Sequence, residues 1–127
     1  MKTGLFKGKP VKVVITGNAL KEFEKLSKVV SNEKARGILS SCSQTLLNAI
    51  NHKITLLKEN PQRGIQIPKN QIPLEYLLLY EINNLWKLNL PGAWRIIYTI
   101  NGTEIKIVSL ILDIFSHKKY EKRFGYS

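Results

Sequence analysis

Hydrophobic residues along this chain change their spacing several times, and each change predicts an element. Residues 11–16 (VKVVIT) are short and rich in β-branched side chains, which predicts a strand. From 19 to 30 the apolar positions Leu20, Phe23, Leu26 and Val30 recur three or four apart, with lysines and glutamates largely between them. That is the pattern of an amphipathic helix, and Thr16 or Asn18 can cap it. Residues 31–37 then break or bend the chain. A longer helix is predicted from about Ile38 or Gln44 to Glu59, where Leu46, Ile50, Ile54 and Leu57 share one face. Asn60-Pro61 ends it, because the residue before a proline is pushed out of the helical region. Between 63 and 84, Pro68, Pro73 and Gly64 mark an extended connection. Within it, residues 74–80 (LEYLLLY) fit either a turn or two of helix or an extra strand, with Tyr76 and Tyr80 expected to pack inside rather than stack on bases.

After residue 85 the period falls to two. Runs at 85–90 and 94–100 are separated by Pro91-Gly92-Ala93, the length of a hairpin loop. Asn101-Gly102 is a second hairpin signal and leads into a third strand at 103–114. These loop lengths place Asn89 opposite Arg95 and Leu88 opposite Ile96. One face then holds Trp86, Leu88, Leu90, Trp94, Ile96, Tyr98, Ile105, Ile107 and Ile111, a core face for the two helices. The other gathers Lys87, Asn89, Arg95, Ile97, Lys106 and Val108, so three cations and an amide fall together. A slip of one residue would scatter them. Ser116 can cap a short final helix carrying His117, Lys118, Lys119, Tyr120, Lys122, Arg123 and Phe124. The predicted fold class is α+β: an N-terminal strand and two helices packed on one face of a curved antiparallel sheet, with a short C-terminal helix. Residues 11–126 form one domain, preceded by a loose basic arm at 1–10.

Charge changes the picture. Twenty lysines and arginines against nine carboxylates leave +11 on 127 residues, which points to a polyanionic partner. Cys42 is the sole cysteine, so there is no internal disulfide, and Ser40, Ser41 and Ser43 give it no activating base. His52 has no ligand three or four residues away and reads as a surface or helix-packing residue. Asp113 is the only aspartate; by alternation it faces the helices and is expected to pair with a core or tail group. No second carboxylate stands near it for paired-acid chemistry, and no phosphate-binding glycine loop, nucleophile elbow or zinc motif occurs. A cytoplasmic protein without a membrane partner is expected, since no run has the length of a span or the apolar core of a signal peptide.

In order, a strand, two helices, hairpin-linked strands with WRIIY in the middle, and then SHKKYEKRF resemble the RelE/ParE/HigB toxin superfamily over residues 11–126. The resemblance implies a RelE-like toxin of a type II toxin–antitoxin system. Its activity would be ribosome-dependent cleavage of messenger RNA, needing no metal or other cofactor, and a cognate antitoxin would silence it in a hetero-oligomer. The 2′-hydroxyl of the RNA attacks the adjacent phosphate while cations stabilise the developing charge. By position, Arg95 matches the arginine at the scissile phosphate and Lys87 a basic residue on the preceding strand. Tyr120 matches the tail tyrosine at the reacting nucleotide, while His117 and Lys118 match the HK pair of HigB-like members, with His117 the candidate general acid or base. Asn89 stands where RelE types often carry a second lysine. Asn89, Lys106, Lys118, Lys119, Lys122 and Arg123 are the candidate RNA contacts. The alternatives are a ParE-like gyrase inhibitor and a basic nucleic-acid-binding module without catalysis.

Overall fold

A computed structural model describes residues 5–102 and 107–125. The chain enters the fold earlier than expected. Strands β1 (Leu5–Phe6) and β2 (Lys9–Ile15) form an antiparallel hairpin, Leu5 opposite Pro10 and Phe6 opposite Lys9. Lys7 and Gly8 between them both take left-handed backbone angles, the geometry of a tight two-residue turn. From Leu5 onward the arm is therefore part of the fold.

Helix α1 (Gly17–Ala35) runs past the break expected at 31, since nothing in SNEKA forbids a helix and the first glycine beyond Gly17 is Gly37, at φ 79°. Thr16 precedes it, but its hydroxyl donates to the Ile111 carbonyl at 3.2 Å and does not cap the helix. Helix α2 (Cys42–Glu59) is capped by Ser41, whose Oγ accepts from the Gln44 amide at 3.1 Å. That same hydroxyl donates to Glu33 at 2.6 Å, and Gln44 donates to the Ile38 carbonyl at 3.0 Å, so the α1–α2 connection is tied at both ends. The connection that follows contains two 3₁₀ turns, strand β3 (Ile65–Gln66) and helix α3 (Leu74–Tyr80). Strands β4 (Trp86–Asn89), β5 (Arg95–Gly102) and β6 (Ile107–Phe115) come next, then helix α4 (His117–Phe124).

The strands make one open sheet in the order β1-β2-β6-β5-β4-β3. It is mixed, not antiparallel throughout: β2 runs parallel to β6, from Val11 opposite Ile107 to Ile15 opposite Ile111. The β4–β5 register is the expected one, with Leu88 opposite Ile96 and Asn89 opposite Arg95. Across the Pro91–Ala93 loop the Leu90 amide donates to the Trp94 carbonyl at 2.8 Å. The second reversal differs. Asn101 and Gly102 do not form the turn but stay in β5, opposite Val108 and Ile107, and residues 103–106 are outside the described residues. The expected places of Ile105 on the core face and Lys106 on the cationic face therefore fall outside the described residues.

A bulge resets the alternation of β6. Ile97 is opposite Asp113 but the next residue, Tyr98, is opposite Ile111, leaving Leu112 as the extra residue. On one face Leu88, Ile96, Tyr98, Ile111 and Ile114 pack against Ala19 of α1 and Leu46, Ile50 and Leu57 of α2. Each buried aliphatic side chain there contributes on the order of 1.5–3 kcal/mol. The opposite face was expected to gather cations. Instead Ile97, Leu112 and Phe115 are roofed by Tyr76 of α3 and Tyr120 of α4, with Ile67, Ile72 and Leu85 from the long connection. Among the described residues no helix is long and apolar enough to cross a membrane.

Candidate functional site

Alternation along β4 turns Leu88 toward α1 and α2 and Lys87 to the other side, where Arg95, the first residue of β5, also lies. Both cations are half-buried, and Tyr120 reaches them from α4. Lys87 Nζ donates to the Tyr120 hydroxyl at 2.9 Å and is 5.2 Å from the ring centroid, so its contact is with the hydroxyl rather than the ring face. The Arg95 guanidinium lies over the ring at 5.3 Å. Arg95 Nη1 donates to the Trp94 carbonyl at 3.1 Å, while Nε is buried with no hydrogen-bond partner. An unpaired buried donor of this kind costs on the order of 1–3 kcal/mol, more when charged. The Nε donor of Arg95 therefore has no acceptor in the site, a donor of the kind that suits an anion. Because Nε has essentially no exposed surface, an incoming phosphate reaches it only after neighbouring groups such as Tyr120 shift.

Tyr120 is only 3% exposed and packs its ring against Phe124 at 4.7 Å and edge-on to Phe115 at 6.2 Å. Ser116 starts α4 by accepting from the Lys119 amide at 3.4 Å, and Gly125 ends it at φ 77°. His117 stands one turn before Tyr120 but is exposed, 3.4 Å from the Glu121 carboxylate on the outer side of α4. Lys87, Arg95 and Tyr120 are thus brought together, and His117 is set apart from them. Asn89 is exposed opposite Arg95. Lys118, Lys119 and Lys122 are exposed on α4, with Lys119 Nζ 3.8 Å from Glu22 of α1.

Arg123 does not join the exposed cations. It turns inward, with Nη1 donating to Asp113 Oδ2 at 3.2 Å and Nε 3.4 Å from Glu75 of α3. The Tyr76 hydroxyl donates to the same Asp113 oxygen at 2.7 Å. Asp113 therefore pairs with a tail group, as expected, but on the α3–α4 side, to which the bulge at Leu112 turns it, with Asn18 at the start of α1 also bonding to it. Burial holds the Asp113 carboxyl above the usual aspartate range, against the opposing pull of Tyr76, Arg123 and Asn18. Burial, and then the Asp113 charge, push the Tyr76 phenol up. Burial pulls the Arg123 guanidinium down, but Tyr76, Asp113 and Glu75 together leave it raised. The lone aspartate in LILDIF was the sequence signal for this network; its partner Tyr76 carried none beyond being an aromatic in an apolar run.

No protein-family model, curated protein or solved structure matches the chain. On the other side of the sheet a groove of about 760 Å³ opens between α1, α2 and the Pro91–Ala93 loop, lined by Leu26, Leu46, Ile50, Trp94 and Ile114. Its floor is apolar, while Glu22, Lys25, Ser41, Ser43 and Lys119 stand around it, and neither Lys87 nor Arg95 lines it. Among the described residues no three of His, Cys, Asp and Glu come close enough to hold a metal ion. Cys42 and His52 are both exposed on α2.

Proposed function

We propose that this protein is a RelE-like toxin that cleaves messenger RNA on the ribosome and is silenced by an antitoxin. The observation that carries the reading is the convergence of Lys87 and Arg95 on the Tyr120 hydroxyl and ring, with a buried Arg95 N–H left without an acceptor. In a 2′-hydroxyl attack on the adjacent phosphate, negative charge grows on the phosphoryl oxygens. Arg95 supplies fixed donors to those oxygens, and Lys87 adds a second positive charge one strand away. Tyr120, held at its hydroxyl by Lys87, is the group that stacks on or acts at the reacting nucleotide once it leaves its packed position. His117 reaches the leaving 5′-oxygen only if α4 reorients, because it now faces Glu121. Wild-type protein is expected to cut messenger RNA on translating ribosomes, and Arg95→Ala to cut at least about 100-fold more slowly. Intact message with wild type, or equal cutting by Arg95→Ala, defeats the reading.

One observation favours a second reading, polyanion binding without bond chemistry: Tyr120 is packed inside and His117 stands apart. Under it, Tyr120→Phe leaves RNA affinity unchanged and no cleavage is seen in either protein.

A further inference from the structure

Most apolar residues of α1 are engaged: Ala19 and Val30 are buried, and Phe23 and Leu26 pack on the core, while Leu20 and Val29 stay exposed. Its outward side carries Lys21, Lys25 and Lys28, all exposed, with Arg36 exposed just beyond the helix end. Spacings of four and three residues put the three lysines within about 60° of one another around the axis and spread them over roughly 10 Å along it. No ion pair links any of the three to a carboxylate among the described residues. Of the acidic groups nearby, Glu33 accepts from Ser41 and Gln44, and Glu22 faces Lys119 at 3.8 Å; Glu24 is exposed among the three lysines and leaves the ridge net positive. That last contact joins the α1 ridge to the exposed lysines of α4, and Lys25 and Lys119 both line the groove between them.

We propose that Lys21, Lys25 and Lys28, continued through Lys119 to Lys118 and Lys122, form a second binding surface whose occupant is the phosphate backbone of a nucleic acid, held without base readout. A membrane surface fits less well, because an interfacial helix needs one continuous free apolar face, and the exposed Leu20 and Val29 of α1 lie on opposite sides of the lysines while the rest packs on the core. An acidic protein fits less well too, because no exposed aromatic anchor accompanies the lysines on α1. A row of unpaired ammonium groups matches a repeating charge, where affinity comes from counterion release. The ridge does not depend on cleavage at Arg95.

The test is binding of the full chain to a short unstructured RNA oligonucleotide, followed by fluorescence anisotropy across a salt titration. Replacing Lys21, Lys25 and Lys28 together by Gln is expected to flatten the slope of log affinity against log salt by about two, at roughly 0.7 per single-strand phosphate contact. Arginine at the three positions is expected to preserve the slope. Arg95→Ala is expected to keep the ridge's share of it, so a failure of the cleavage reading and a failure of the ridge appear in different variants. An unchanged slope in the Gln variant overturns the proposal. So does an equal loss on replacing Lys53 and Lys58 of α2, which would make the effect one of bulk charge. Tighter binding to phosphatidylserine vesicles than to the RNA overturns it as well. Should the triple variant not fold by circular dichroism, Lys25→Gln alone carries the test, with about a third of the shift.

Discussion

Ile96 and Ile97 are neighbours on β5, and neither has exposed surface, yet they belong to different cores. Ile96 faces two long helices across an aliphatic interface. Ile97 faces α3 and α4, of seven and eight residues, and its surroundings contain a carboxylate, two tyrosine hydroxyls and an arginine. Helices that short do not persist on their own in water. They stay on the sheet through what they bury and through the contacts of Asp113 with Tyr76 and Arg123. The first face is built to hold the fold together, the second to hold charged groups in place. Local opening is therefore expected on the second face first.

The strongest way to break that comparison is to truncate each isoleucine. Ile96→Ala is expected to cost about 2–5 kcal/mol of global stability, read from urea unfolding. Ile97→Ala is expected at the low end of about 2–5 kcal/mol, since short helices can settle into the space, and to speed amide exchange in α4 while leaving α2 protected. Equal costs with equal loosening of α2 would merge the two cores into one. Next comes Asp113→Ala, which strands the Tyr76 hydroxyl and is expected to cost about 1–3 kcal/mol, again with faster exchange confined to α3 and α4. Exchange unchanged in both helices would show that apolar packing alone holds the roof.

A pH titration sharpens the same point. The Asp113 carboxyl is raised by burial, so the folded protein holds that proton more tightly than the unfolded chain does. Its stabilising contribution is full below the ordinary aspartate value of about 3.9 and is lost as pH rises through the raised folded value. The stability of wild type relative to Asp113→Asn should fall across that window. A carboxyl carbon midpoint at or below the ordinary value, by NMR, contradicts it. The smallest effect is expected at the seam between the faces: Lys119→Ala removes an exposed pair with Glu22 and should change stability by less than about 1 kcal/mol in a thermal melt.

How much of this was legible in the sequence follows the same division. The β4–β5 register could be read because a three-residue loop and strict alternation fix it together. That was enough to bring Lys87, Asn89 and Arg95 onto one face. The parallel pairing of β2 with β6 left no local trace, because alternation carries no strand direction. The bulge at Leu112 was equally silent, so Asp113 was assigned the wrong face. In LEYLLLY, leucines surround the helix, with Leu74, Leu78 and Leu79 remaining exposed, so periodicity could not distinguish roof from strand. The site was half legible for a related reason. Its strand residues follow from register, whereas the burial of Tyr120 and the inward turn of Arg123 depend on how α4 is rotated onto the sheet.

The place of β6 in the sheet has a consequence for how the molecule comes into being. Both of its neighbours, β2 and β5, precede it in the chain. As the polypeptide leaves the ribosome, the helices and the β4–β5 hairpin emerge before the strand that unites them with β2. Ile111 and Ile114 of one core, and Leu112 and Phe115 of the other, arrive together on that strand. A nascent chain that stops short of it has neither core closed and no seat for α4. Closure of both cores thus waits for β6 and α4 to emerge, and copies that stop before them should be open to proteolysis and devoid of an assembled Lys87–Arg95–Tyr120 cluster.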